Sequence, residues 1–85
     1  MKNDTNKTRW DLVPFEQLEE IAKVITYGAE KYAPGDWKNT DKRKYFAAAM
    51  RHLVEYKKGK KMDESGMSHL SHAACSIIFL MWHEK

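Results

Sequence analysis

Apolar side chains recur every three or four residues in three separate segments of this chain, and no segment shows the alternation typical of a β-strand. That period places the apolar side chains of a segment on one side of an α-helix. Pro34 and Gly35 divide the first segment from the second, and Gly59 follows the second; both residue types end helices. We therefore predict an all-α domain. The predicted helices span about 14–32, 42–58 and 67–83, behind a polar arm at 1–12.

The apolar residues of each segment define the side that is expected to face the core. In the first helix these are Phe15, Leu18, Ile21, Ala22, Ile25, Gly28, Ala29 and Tyr32. In the second they are Tyr45, Ala48, Ala49, His52, Leu53 and Tyr56. In the third they are Leu70, Ala73, Ala74, Ile77, Leu80 and Met81, and Ile78 and Trp82 widen the set. An apolar surface that broad predicts burial on two sides.

A chain of 85 residues is long enough for a single domain, 1–85, with a small core. A domain of this size buries only about 60% of the surface that its unfolded chain exposes. The single cysteine excludes an internal disulfide framework. We expect self-association into a homo-oligomer to complete the three-helix core.

Membrane and nucleic-acid classes are disfavoured. The apolar run Ile77–Trp82 is far shorter than a membrane span, and the polar first ten residues lack the apolar core of a signal peptide. We therefore expect a cytoplasmic protein. A net charge of +3 suggests anionic ligands, but it is a weak argument for duplex nucleic acid, and no recognition-helix signature is present.

A polar stripe on the third helix is the first candidate for chemistry. His69, His72, Ser76 and His83 share one side of that helix. Two histidines one turn apart can ligate a metal ion or bind a phosphate. The alternative is that His69 and His72 are half-exposed and only hydrogen-bond the first helical turn. A structural role is favoured for His83.

Acidic and basic side chains in the neighbouring segments extend this candidate site. Asp63 and Glu64 precede the histidines, where carboxylates can hold Mg²⁺ or Mn²⁺ or can simply favour a helix N-terminus. His52, next to Arg51, is predicted to face the core, and a buried histidine needs a polar partner. Asp63 or His69 could provide that partner.

A second group of candidates follows the first helix. Lys31, Tyr32 and Trp37 combine a cation with aromatic rings that can stack on a nucleobase. The alternative is that the two rings hold the loop against the core. A basic run that could gather an anionic ligand consists of Lys57, Lys58, Lys60 and Lys61.

Together these blocks resemble the dATP/dGTP diphosphohydrolase N-terminal family, small helical proteins encoded largely by bacteriophages. The resemblance extends from about Lys7 to Trp82. It is carried by Lys7-Thr8-Arg9-Trp10-Asp11-Leu12-Val13-Pro14, Gly28-Ala29-Glu30-Lys31-Tyr32 with Trp37, Arg51-His52-Leu53, and Asp63-Glu64-Ser65-Gly66-Met67-Ser68-His69-Leu70-Ser71-His72-Ala73.

The resemblance implies hydrolysis of purine deoxynucleoside triphosphates to monophosphate and pyrophosphate, with Mg²⁺ or Mn²⁺. The implied catalytic residues are Asp63, Glu64 and His52; the metal ligands are Asp63, Glu64 and His69. The implied phosphate ligands are Arg9, Lys31, Arg51, His69 and His72, and the base-stacking residues are Tyr32 and Trp37.

A second hypothesis is a binding protein without chemistry. Such a protein would sequester a nucleotide signal of a host defence system, such as a cyclic oligonucleotide, and would need no cofactor. Lys60, which stands where the family commonly has glutamate, favours this alternative because a lysine beside an acidic loop weakens cation binding and strengthens phosphate binding. A small adaptor for another protein is disfavoured by the clustered His, Arg and Asp residues.

Overall fold

The computed structural model describes residues 6–85, and these form an all-α domain, as predicted. Helix α1 spans Phe15–Lys31, α2 spans Arg43–Lys57 and α3 spans His69–His83. Short 3-10 helices cover Trp10–Leu12 and Asp36–Asn39. The first five residues of the predicted polar arm lie outside the described residues, and the last three of that arm form the first 3-10 helix.

Local sequence explains where these helices begin and end. The Asp41 carboxylate accepts a hydrogen bond from the Arg43 backbone N–H (3.0 Å) at the start of α2. Gly59 follows α2 with a φ of 98°, a left-handed conformation that glycine adopts without strain. Ser68 caps α3 by accepting a hydrogen bond from the Ser71 N–H (3.0 Å).

Helix α3 is central, because both α1 and α2 pack against it. Small side chains lie on the packed sides of the α2–α3 pair: Ala49 is buried in α2, and Ala73 in α3 is only 2% exposed. Since the distance between packed helices depends on the side chains at their contact, alanines at these positions let the two helices approach closely.

The structure corrects the predicted inward side of α3. Leu70, Ile77 and Met81 were expected in the core, but all three are exposed. Ala73 of the predicted set is buried, but so are His69 and Ser76 of the predicted polar stripe, and the His69 ring packs against His52 of α2. The histidines of this stripe therefore lie between two helices of one chain.

The predicted inward side of α1 also needs correction. Phe15 is 57% exposed and Tyr32 is 70% exposed, whereas Val24, which lies outside the predicted set, is buried. The packed side of α1 is thus rotated towards Val24. In the part of the chain that the structure describes, no helix is long and apolar enough to cross a membrane.

An aromatic cluster lies where the start of α2 meets the end of α3. The Trp37 ring stacks on Phe79, with ring centroids 4.2 Å apart and planes 5° apart. Its backbone carbonyl lies 3.2 Å from the donating Tyr45 hydroxyl and 3.1 Å from Nε2 of His83. These contacts fix the loop between α1 and α2, and they confirm the structural role favoured for His83.

Candidate functional site

Three histidines converge at the start of α3. Nδ1 of His52, on α2, lies 2.9 Å from Nδ1 of His69. The His72 ring, one turn along α3, stacks on the His52 ring, with centroids 4.7 Å apart and planes 15° apart. His69 is only 7% exposed. His52 was predicted to reach Asp63 or His69, and its hydrogen-bond partner is His69. The alternative of a half-exposed His69 is wrong.

Asp63 joins the histidines from the loop between α2 and α3. Its Oδ1 lies 4.0 Å from Nδ1 of His69, and its Oδ2 lies 3.5 Å from Nε2 of His72. We call the four side chains of His52, Asp63, His69 and His72 the histidine–aspartate cluster. It draws on two helices and a loop, so it exists only in the folded chain.

The loop is shaped so that Asp63 faces the cluster. An isolated antiparallel bridge pairs Met62 with Ser68, and the Asp63 N–H donates to the Met67 carbonyl (2.8 Å). Gly66 completes the turn with a φ of 86°. The Ser65 N–H then donates to Oδ2 of Asp63 (2.9 Å), which fixes the carboxylate.

Burial sets the charge of His52 and His72. The pKa of His52 lies below its ordinary value because of burial and the nearby His72. Burial also lowers the pKa of His72, although Asp63 opposes this shift. Both imidazoles are therefore unprotonated at neutral pH, the form in which histidine binds metal ions or accepts protons.

The carboxylate of Asp63 carries the negative charge of the site. Burial alone would raise the pKa of Asp63, but hydrogen bonds from Ser65 and the nearby imidazoles hold it below its ordinary value. The cluster thus pairs an ionised carboxylate with the unprotonated imidazoles of His52 and His72, a combination suited to a cation.

Part of the cluster fits a divalent metal ion. His52, Asp63 and His69 each offer a ligand atom, and these three atoms lie within 4.8 Å of one another. Imidazole nitrogen and carboxylate oxygen are both common ligands of divalent ions. Glu64, a predicted catalytic residue and metal ligand, is exposed and stands outside this group, whereas His52, predicted only as a catalytic residue, belongs to it.

The other predicted ligand-binding residues do not belong to the cluster, although Arg51 is next to His52 in the sequence. Arg9 is exposed and donates two hydrogen bonds to Asp11 (2.8 and 2.7 Å). Lys31 and Tyr32 are exposed at the end of α1, where the Lys31 ammonium lies 5.4 Å from the Tyr32 ring centroid. One face of Trp37 is covered by Phe79 at the opposite end of α3. Arg51 is exposed beside His52 on α2.

Ser65 belongs to the site but was not among the predicted site residues. Its Oγ lies 2.8 Å from Nε2 of His72 and accepts a hydrogen bond from the Met67 N–H (3.3 Å). The sequence does contain a signal for this contact. An Asp side chain in a turn often accepts the backbone N–H of the residue two positions later, and Asp63 is two positions before Ser65. Ser65 thus connects the loop to the third histidine.

Sequence comparisons with known proteins place this chain in a family. The sequence profile of the dATP/dGTP diphosphohydrolase N-terminal family matches residues 1–85. A Salmonella phage PMBT28 protein, named dATP/dGTP diphosphohydrolase, is 31% identical over 83 residues. That alignment covers 96% of this chain but only 29% of the relative, so the chain spans less than a third of the relative's length. No solved structure matches the chain. The chain belongs to the dATP/dGTP diphosphohydrolase N-terminal family.

Proposed function

We propose that the histidine–aspartate cluster hydrolyses purine deoxynucleoside triphosphates to monophosphate and pyrophosphate. The observation that carries the proposal is the convergence of His52, Asp63 and His69, from three segments, with ligand atoms within 4.8 Å. The choice of substrate rests on the family and on the name of the phage relative, dATP/dGTP diphosphohydrolase.

The proposed reaction is attack of water on the α-phosphorus. The bond between that phosphorus and the oxygen bridging to the β-phosphate breaks, and pyrophosphate leaves. A divalent ion held by His52, Asp63 and His69 would polarise the phosphate and lower the pKa of a water molecule. Mg²⁺ and Mn²⁺ are the ions that the family resemblance implies.

His72 is the proposed proton acceptor. Burial lowers its pKa, so its ring is unprotonated at neutral pH and can take the proton that the attacking water gives up. Once protonated, Nε2 has Oδ2 of Asp63 at 3.5 Å to stabilise the positive charge. Ser65, with Oγ 2.8 Å from the same nitrogen, holds the ring in place.

Two cations adjoin the cluster and are the proposed phosphate ligands. Arg51 precedes His52 on α2 and is exposed. Lys61 is exposed as well, and its backbone carbonyl accepts the His69 N–H (3.0 Å), which ties this lysine to the start of α3. Both cations are exposed, and a guanidinium or an ammonium group can pair with a phosphate.

The test is product analysis in ¹⁸O-labelled water. The purified chain is incubated with each of the four deoxynucleoside triphosphates and Mg²⁺ or Mn²⁺, and the products are separated by anion-exchange chromatography and weighed by mass spectrometry. We expect monophosphate and pyrophosphate from dATP and dGTP, with ¹⁸O in the monophosphate. Label in the pyrophosphate would contradict attack at the α-phosphorus.

The same experiment separates hydrolysis from sequestration. Absence of turnover at a stoichiometric amount of protein would overturn the proposed activity. Recovery of a tightly bound nucleotide unchanged after heat denaturation would support the alternative hypothesis, a binding protein that sequesters a nucleotide signal.

A further inference from the structure

We propose that His52, Asp63 and His69 bind a first-row transition-metal ion of the series from Mn²⁺ to Zn²⁺ in preference to Mg²⁺. This inference rests on the proposed function only in that the same cluster is the active centre. Ion binding itself needs no nucleotide, so it is measured separately from hydrolysis.

Geometry allows one ion to reach all three side chains. Bonds from such an ion to nitrogen or oxygen are about 2.0–2.2 Å long, so one ion can bridge two donors up to about 4.3 Å apart. Nδ1 of His52 and Nδ1 of His69 are 2.9 Å apart, and Nδ1 of His69 lies 4.0 Å from Oδ1 of Asp63. The widest separation in the group, 4.8 Å at most, closes with a side-chain shift of about half an ångström.

The orientation of each donor favours ligation. The Ser65 N–H engages Oδ2 of Asp63, which leaves Oδ1 as the oxygen on the His69 side. Two Nδ1 atoms that face each other at 2.9 Å share at most one proton, and an ion can replace that proton. The His72 ring, stacked on His52, restricts the orientation of that ligand, as residues around metal ligands commonly do.

Donor chemistry selects the ion. Mg²⁺ takes oxygen ligands in near-ideal octahedral geometry and retains most of its waters, and it rarely takes imidazole. Ions from Mn²⁺ to Zn²⁺ accept imidazole, and their affinity for mixed nitrogen and oxygen sites rises along the series to Cu²⁺. Two imidazoles and one carboxylate, with no second carboxylate in the group, therefore disfavour Mg²⁺.

The test measures ion binding to the chelator-treated full chain. Mn²⁺, Zn²⁺ and Mg²⁺ are titrated by calorimetry, and Co²⁺ is titrated by its visible absorption, which intensifies when nitrogen ligands distort the site away from an octahedron. We expect about one ion per chain, with Mn²⁺ and Zn²⁺ at least about 10-fold tighter than Mg²⁺.

Variants assign the site. His69→Asn should weaken Zn²⁺ binding by more than about 10-fold, because loss of a residue that only supports a metal ligand already costs about 10- to 100-fold in affinity. His52→Gln should have the same effect, and it serves as the second variant if His69→Asn does not fold. His83→Asn is the matched control, because His83 is on the same helix but contacts Trp37 instead. Circular dichroism establishes that each variant is helical.

Three results would overturn the inference: Mg²⁺ binding as tightly as Zn²⁺, no ion bound at millimolar concentration, or equal weakening by His83→Asn. Its failure is distinguishable from failure of the proposed function. If Zn²⁺ or Mn²⁺ binds but no nucleotide is hydrolysed, only the proposed function is overturned. If the protein hydrolyses nucleotides with Mg²⁺ and binds neither Zn²⁺ nor Mn²⁺, only the proposed ion preference is overturned.

Discussion

The two sides of α3 depart from the usual arrangement of a helix in a small domain, in which apolar side chains face the core and polar side chains face solvent. The side that faces α2 carries buried polar groups: His69 and Ser76 are buried, and the His69 and His72 rings lie against His52. Another side carries Leu70, Ile77 and Met81, which are spaced by seven and four residues and therefore form one stripe. We call these three residues the outer stripe; Met81 is 66% exposed.

The buried polar groups of α3 bear on the stability of the fold. Polar groups in a helix interface contribute less to folding than apolar ones, and they persist only where hydrogen bonds or ligands satisfy them. Among the described residues, no buried side-chain nitrogen or oxygen lacks a hydrogen-bond partner. The inner side thus forms a satisfied polar site, and the outer stripe retains apolar area that a second copy of the chain could cover.

The largest expected effect is on the inner side. Asp63→Asn removes the carboxylate charge that faces two histidines, while keeping the size of the side chain. We expect kcat/KM for dATP to fall by more than about 100-fold, because loss of even an outer partner of a metal site costs about 10- to 100-fold. Steady-state kinetics at saturating metal measures this.

The control for that variant is Asp36→Asn, which removes an exposed carboxylate outside the cluster. Its kcat/KM should stay within about twofold of the parent, as expected for a surface change away from the site. An Asp63→Asn enzyme that keeps a tenth or more of the parent activity would remove Asp63 from the proposed mechanism.

The next effect concerns packing on the same inner side. Ala73→Leu adds three carbons where only 2% of the alanine is exposed, so α2 and α3 must separate or distort. We expect the free energy of unfolding in urea to fall by about 1–3 kcal/mol, the usual cost of overpacking. Ala47→Leu, at an exposed position of α2, should change it by less than about 0.5 kcal/mol.

Substitutions in the outer stripe should weaken self-association of the chain more than they change its folding stability. We propose that it is part of a homo-oligomer contact, so Ile77→Ser and Met81→Ser together should weaken self-association by about 10-fold or more. Sedimentation equilibrium at several protein concentrations measures this. Leu12→Ser, an exposed apolar residue outside the stripe, should leave association unchanged. A parent chain that is monomeric at all concentrations would contradict the proposal.

Sequence periodicity predicted the helices but not their orientation. The three-to-four spacing identifies a helix and its apolar side, and all three helices were found this way. This spacing does not determine which side of a helix is covered by a neighbouring helix, because that depends on the direction in which the short loops lead into the next helix. The buried position of His69 and the exposure of Met81 both follow from this second step.

The candidate site was predictable where a residue's own chemistry demanded a partner. His52 lies among apolar residues of α2, and its need for a polar contact led to Asp63 or His69, of which the structure shows His69. That Asp63 and not the adjacent Glu64 lies beside the histidines could not be predicted in this way, because adjacent residues in a loop differ only through backbone geometry. The bridge between Met62 and Ser68 fixes that geometry.

The smallest predicted effect concerns a buried thiol on α3. Cys75 lies on this helix, and only 6% of it is exposed. Burial raises the pKa of the Cys75 thiol from 9.0 to about 11. The neutral thiol is favoured in the fold, so this contribution to stability is complete below pH 9 and is lost as pH rises towards 11. By pH 10 the free energy of unfolding should fall by about 1 kcal/mol from this group alone, whereas Cys75→Ala should lack that loss. Urea unfolding of both proteins at pH 8 and pH 10 measures the difference, and an equal alkaline loss in the two would show that Cys75 is not its source.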